Sequence, residues 1–123
     1  MRWLAHGNIL SAAIEAIARH GHAVQTTAEL LPGVEVIDLD DLLERAAREQ
    51  LDVMTTDKLL AARPYETKSK FARAMVFLQL GGGEVEQDDA IDRLFARYKS
   101  PKPGMLYTVT GNRVKVRQLP GIK

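Results

Sequence analysis

The segment that most narrows what this chain can become is residues 74–80, apolar at every position except Gln79. A strand with so little polar surface has no side to offer water, so it belongs inside a parallel sheet covered on both faces. Around it, short apolar runs alternate with segments of helical period. Residues 2–5 form the first run, ended by Gly7-Asn8, and Asn8 is suited to cap a helix. Ile9, Leu10, Ala13, Ile14 and Ile17 then recur at helical spacing. Arg19 and His20 fall in the last turn, and Gly21 supplies a left-handed terminator. Residues 22–26 read as a second strand, followed by a loop holding Leu31-Pro32-Gly33. Leu39, Leu42, Leu43 and Ala46 make the clearest amphipathic stripe, leading into a third strand over 51–55 that ends at Thr56-Asp57. Residues 58–73 are polar and basic and contain Pro64, which predicts a loop with a single helical turn in it. Gly81-Gly82-Gly83 closes the central strand. Ile91, Leu94, Phe95 and Tyr98 mark a third amphipathic helix, stopped by Pro101 and Pro103. Residues 105–109 and 114–119, joined through Thr110-Gly111-Asn112-Arg113, have the pattern of a β-hairpin.

Strands alternating with helices imply right-handed crossovers and a mostly parallel sheet with helices on both faces. The expected architecture is a three-layer α/β sandwich of one domain over residues 1–123, with strand order 2-1-3-4-5 and a C-terminal hairpin. In that order the chain reverses direction between the first and third strands, and ligands bind beyond the strand carboxyl ends at the reversal. Residues 5–8 and 55–58 are therefore expected to meet at one rim. Chemistry should be sought there.

Composition restricts that chemistry. The chain has no cysteine, which removes disulfides, thiolate nucleophiles and Cys-based zinc sites. No apolar run is long enough for an export signal or a membrane span, so a cytoplasmic location without membrane association is expected. The net charge of +1 conceals a segregation. Residues 1–57 carry four arginines against ten acids, whereas residues 99–123 hold Lys99, Lys102, Arg113, Lys115, Arg117 and Lys123 with no acid. Lys58, Lys68, Lys70 and Arg73, with Tyr65 close by, extend the basic region. Such a distribution suits a nucleic-acid backbone, with Tyr65 available to stack on a base. It suits equally well a set of solvated loop and edge-strand charges that keep sheet edges from pairing.

Four stretches, taken in order, resemble the small bacterial PIN-like domains related to toxin nucleases. Residues 1–9 are similar to the opening strand of that family, and Gly21-His22-Ala23-Val24 to its helix-to-strand turn. Residues 42–58, ending Val53-Met54-Thr55-Thr56-Asp57-Lys58, are similar to its acid-bearing third strand. Residues 75–80, the following helix and Val114-Lys115-Val116-Arg117 resemble its second half. The resemblance implies a metal-dependent ribonuclease, possible as the toxin of a toxin–antitoxin pair, with RNA as substrate, an antitoxin-like protein as partner and a homodimeric state within reach. Acidic side chains at the strand ends would hold Mg²⁺ or Mn²⁺, which generate a hydroxide and stabilise a leaving oxygen. Asp57 falls on the strand-end acid, Asp40 (with Asp38 and Asp41 as alternatives) on the helix-start acid, and Asn8 also matches.

The chain departs from the pattern at His6, which stands where the family has its first aspartate, and at Leu59 and Leu60, where a further acid often lies. An imidazole in place of a carboxylate removes a charge and an oxygen ligand that a hard cation prefers. Three readings stay open. The chain is a metal nuclease with an altered site using Asp57, Asp40 and His6; or a degenerate PIN-like domain that binds RNA or a protein without cutting; or His6 is a hydrogen-bonding strand-end residue. Each acid also has a structural alternative, Asp57 as a turn or helix cap and Asp38, Asp40 and Asp41 as first-turn acids complementing a helix dipole. His20 and His22 read as structural, and Trp3 as core or edge packing. A response-regulator receiver shares the sheet order, but it needs an acidic pair where His6-Gly7 stand, a hydroxyl residue after the fourth strand and a Lys after the fifth. The glycine triplet lacks the Lys-Ser or Lys-Thr of a phosphate loop.

Overall fold

The computed structural model describes residues 1–67 and 71–120 and shows a single six-stranded sheet. The chain runs β1 (Arg2–His6), α1 (Ser11–Arg19), β2 (Ala23–Thr26), α2 (Thr27–Leu30), α3 (Leu39–Arg48) and β3 (Asp52–Thr55). It continues through α4 (Lys58–Thr67), β4 (Met75–Leu78), α5 (Glu84–Arg97), β5 (Met105–Val109) and β6 (Val114–Gln118). Strand order is β2-β1-β3-β4-β5-β6, with every pairing parallel except the β5–β6 hairpin. The expected order and hairpin are both present.

Successive residues of a strand point to opposite faces, so a doubly covered sheet needs apolar side chains at consecutive positions. Trp3 and Leu4, Val53 and Met54, Met75 and Val76, and Leu106 and Tyr107 meet that demand. The first face packs Trp3, Met54, Val76 and Tyr107 against Ile17 of α1 and Ile91, Leu94 and Phe95 of α5. The second face packs Leu4, Val53, Met75 and Leu106 against Leu30 of α2, Leu42 and Leu43 of α3 and Leu60 of α4.

Three local expectations are corrected. Residues 58–67 form a helix rather than a loop. Asp57 starts it by accepting the Leu59 N–H at 2.8 Å, and Leu60, Ala61 and Pro64 are buried beneath it. A proline inside a helix costs about 3 kcal/mol, and here the apolar face that Pro64 shares with Leu60 and Ala61 offsets it. Thr26 and Glu29 build a reciprocal capping box that starts α2, in a stretch expected to be strand end and loop. Asn8 does not cap α1. The cap position is Leu10, which has no capping side chain of its own; instead Gln87 of α5 accepts the Leu10 N–H at 2.8 Å and donates to the Asn8 carbonyl at 2.7 Å. A buried glutamine from a distant helix replaces the local cap.

Gln50, between α3 and β3, has φ 59°, the left-handed region in which a side chain is strained. Gln50→Gly is expected to stabilise the fold by roughly 0.5–1 kcal/mol, measured by urea unfolding. A loss of stability would mean that the Gln50 side chain makes a contact that outweighs the strain.

Candidate functional site

The carboxyl ends of β1 and β3 lie side by side, and short hydrogen bonds join them. His6 pairs with Thr55 across the ladder. The Asn8 N–H donates to Thr56 Oγ1 at 2.8 Å, and the Thr56 N–H donates to the His6 carbonyl at 3.4 Å. Gly7 makes this approach possible. Its φ is +80°, and a Cβ there would lie 2.6 Å from Thr56 Oγ1, so neither the backbone conformation nor the space suits a side chain. The two peptides expected at one rim are at one rim.

His6 is buried, with 9% of its surface exposed. Its Nδ1 is 2.8 Å from Thr55 Oγ1, which also accepts the Asp57 N–H at 2.9 Å. Burial holds the His6 imidazole below its ordinary value of 6.5, while the Asp57 carboxylate pulls weakly the other way. The ring is therefore neutral at pH 7.

The acids assigned to a metal are each engaged elsewhere. Asp57 caps α4 through Leu59. Asp38 caps α3, accepting the N–H groups of Asp40 at 2.9 Å and Asp41 at 3.1 Å. Asp40 makes a two-pronged ion pair with Arg63 of α4, 2.9 Å to Nε and 2.8 Å to Nη2, which holds its carboxyl below the usual range. Arg63 lies six residues beyond Asp57 along α4, about 9 Å at 1.5 Å per residue. Asp40 is thus drawn toward the middle of that helix rather than to the rim. Among the described residues no three His, Asp or Glu side chains stand close enough to hold an ion. Mg²⁺ needs several oxygen ligands in near-octahedral array, and this donor set does not fit it; Mn²⁺ finds no better cluster.

The residues assigned to nucleic acid are scattered. Lys58 is exposed at the start of α4, close to the rim. Asn8 contributes backbone groups there. Arg73 sits at the amino end of the strands, where it pairs with buried Asp52 at 3.2 Å. Lys68 and Lys70 lie outside the described residues.

The ladder brings together a surface that the sequence does not spell out. His6 pairs with Thr55, Thr55 with Phe77, Phe77 with Thr108 and Thr108 with Lys115, a row crossing five strands on one face. One step below it, Leu106 pairs with Arg117 on the same face. Helix α4 packs over β3 and β4, and the chain then folds back as β6 instead of adding another helix. Thr108 is left half-buried and Lys115 and Arg117 exposed. A groove of about 400 Å³ opens there, lined by Lys58, Tyr65, Phe77, Gln79, Thr108 and Arg117. Its acid is Glu66. The Arg117 guanidinium lies 4.0 Å above the Tyr65 ring, whose hydroxyl donates to the Gln118 carbonyl at 2.9 Å. Both groups are thereby held at the groove wall. Alternation of Lys115 and Arg117 with Val114 and Val116 was the one available signal of this face; the positions of Phe77 and Thr108 beside it depend on register.

No protein-family model, curated protein or solved structure matches the chain. The likeness to PIN-like domains rests on the sequence motifs alone.

Proposed function

We propose that the chain is a non-catalytic binding module for single-stranded RNA, held on the open sheet face beside α4. The observation that carries this reading is the groove itself. It sets two aromatic rings, Tyr65 and Phe77, beside two cations, Lys58 and Arg117, between α4 and the β5–β6 hairpin, and exposed Lys115 stands next to it on the same sheet face, paired with Thr108. Single strands are bound by that combination, because every base has a face that can stack and every nucleotide a phosphate to neutralise. An extended duplex offers neither unstacked bases nor a strand narrow enough for the groove. The metal-nuclease reading draws its support from the family resemblance, but it requires a carboxylate cluster, and Asp38, Asp40 and Asp57 are occupied as two helix caps and an ion pair.

The test is fluorescence anisotropy with a labelled twelve-nucleotide oligouridine across a salt series. Three phosphate contacts predict a log–log salt slope of about −2, since each is worth about −0.7 on a single strand. Arg117→Gln should weaken binding and bring the slope toward zero by about 0.7. Phe77→Ala should cost about 1–3 kcal/mol of affinity with an unchanged slope. Absence of binding at low salt, or equal losses with double-stranded RNA, would sink the proposal. Cleavage of the same RNA in Mn²⁺ or Mg²⁺ that disappears in Asp57→Ala would reinstate the nuclease.

A further inference from the structure

The proposed RNA face leaves unused a cavity on the other side of His6. It has a volume of about 440 Å³ and lies at the carboxyl ends of β1 and β2. Ile9, Ile14, Ile37, Ala5 and Ala28 supply apolar walls, and His6 lines it as the ring-bearing polar residue. Thr26 and Thr27 also face it, but their hydroxyls are engaged, Thr26 with Glu29 and Thr27 with the Ala5 carbonyl at 2.8 Å. A volume of this order is in the range of small-molecule sites, which pair an apolar lining with a few placed polar groups.

The proton on His6 can be located. Thr55 is fully buried, and its oxygen already accepts the Asp57 N–H. A hydroxyl has one hydrogen to give, and the acceptor within reach of Thr55 among the described residues is His6 Nδ1. Thr55 therefore donates to Nδ1, and a neutral ring must carry its own hydrogen on Nε2. That N–H has no protein partner among the described residues, and since it is not one of the buried side-chain atoms left unpaired, it opens to solvent within the cavity. A donor on the wall of an apolar cavity and without a protein partner offers a ligand acceptor one directed hydrogen bond, which would replace the one that water makes to it.

We infer that this cavity is a second binding site, for a small uncharged and largely apolar molecule carrying one hydrogen-bond acceptor such as a carbonyl, received by His6 Nε2–H. A carboxylate is a poor match, since no cation lines the cavity. The inference does not depend on RNA binding, because His6 faces this cavity while the groove is lined from α4, β4, β5 and β6.

Cyclohexanone is a suitable probe, titrated into ¹⁵N-labelled protein and followed by NMR. Saturable shifts are expected at His6 Nε2 and at the backbone amides of Gly7, Thr27 and Ala28. His6→Phe keeps a ring of similar size without the donor and should weaken binding about five-fold, the worth of one neutral hydrogen bond. Ala28→Phe leaves the His6–Thr55 pair intact and fills the cavity, so it should abolish saturation even if His6→Phe does not fold. Shifts that rise linearly without saturating, or a saturable site that both variants leave unchanged, would overturn the inference.

Discussion

Asp52→Ala is expected to cost about 3 kcal/mol of folding stability, toward the lower end of what breaking a buried charge pair costs. Asp52 is fully buried at the start of β3. Its Oδ1 accepts the N–H of Ala74, itself buried, at 2.9 Å, and its Oδ2 accepts from Arg73 at 3.2 Å. The carboxylate thus ties β3 to the residue that leads into β4. Alanine would strand the Ala74 N–H without a partner and leave a guanidinium whose Nε already lacks one. The effect falls at the low end because the Arg73 side chain is 33% exposed and can turn toward water. Asp52→Asn keeps an oxygen for Ala74 and loses only the charge, so about 1–2 kcal/mol is expected. Urea unfolding of both variants measures this. A cost for Asp52→Ala no larger than that for Asp52→Asn would mean that the bond to Ala74 contributes nothing and that the charge pair with Arg73 carries the whole effect.

Trp3→Ala is expected to cost about 3–5 kcal/mol, the usual range for deleting a buried large aromatic. For a chain of this size that lowers Tm by roughly 10 °C or more. The Trp3 ring is wholly buried between the sheet and α5, edge-on to Phe95 at 6.0 Å between centroids, with its indole N–H 3.4 Å from His22 Nδ1. Trp3→Phe retains most of the apolar contact and loses the hydrogen bond, so a smaller cost of about 1–2 kcal/mol is expected.

The same pair fixes a pH dependence. Burial, with the chain amino terminus and His20 adding to it, holds His22 below its ordinary value of 6.5, and burial lowers His6 likewise. A group with a depressed folded-state value binds protons more readily when unfolded. Stability is therefore full above about pH 7 and declines as pH falls through 6.5 toward the folded-state values, where the decline ends. Protonated His22 can no longer accept the Trp3 N–H, so Trp3→Phe should make the decline shallower. An unchanged slope would show that His6 alone carries it.

Much of the fold was legible because it depends on patterns that local chemistry dictates. The apolar run at residues 74–80, the stripe on α3, the glycine at 21 and the hairpin residues 110–113 each placed an element, and right-handed crossovers then left few sheet orders to choose from. Helix α4 was missed because Pro64 and the surrounding charge argue against a helix locally. Only the burial of Leu60, Ala61 and Pro64 against the sheet overrides that argument, and burial is not a property of the segment. The cap on α1 was misassigned to Asn8 for the same reason: Gln87, far along the chain, supplies the partners.

The site divides in the same way. Sequence alone determined that the ends of β1 and β3 share a rim, because strand order and the position of Gly7-Asn8 and Thr56-Asp57 suffice for that. It could not determine what the carboxylates there are free to do. Asp40 turns to Arg63, a partner that packing α3 against α4 supplies, and Asp57 turns to the first turn of α4, a helix that forms because its apolar face packs on the sheet. Nor could it place Phe77, Thr108, Lys115 and Arg117 on one face, because a shift of one residue in register would send each to the other side. Residue types set which chemistry is available to this chain; the contacts between distant elements decided which side chains remain unoccupied to perform it.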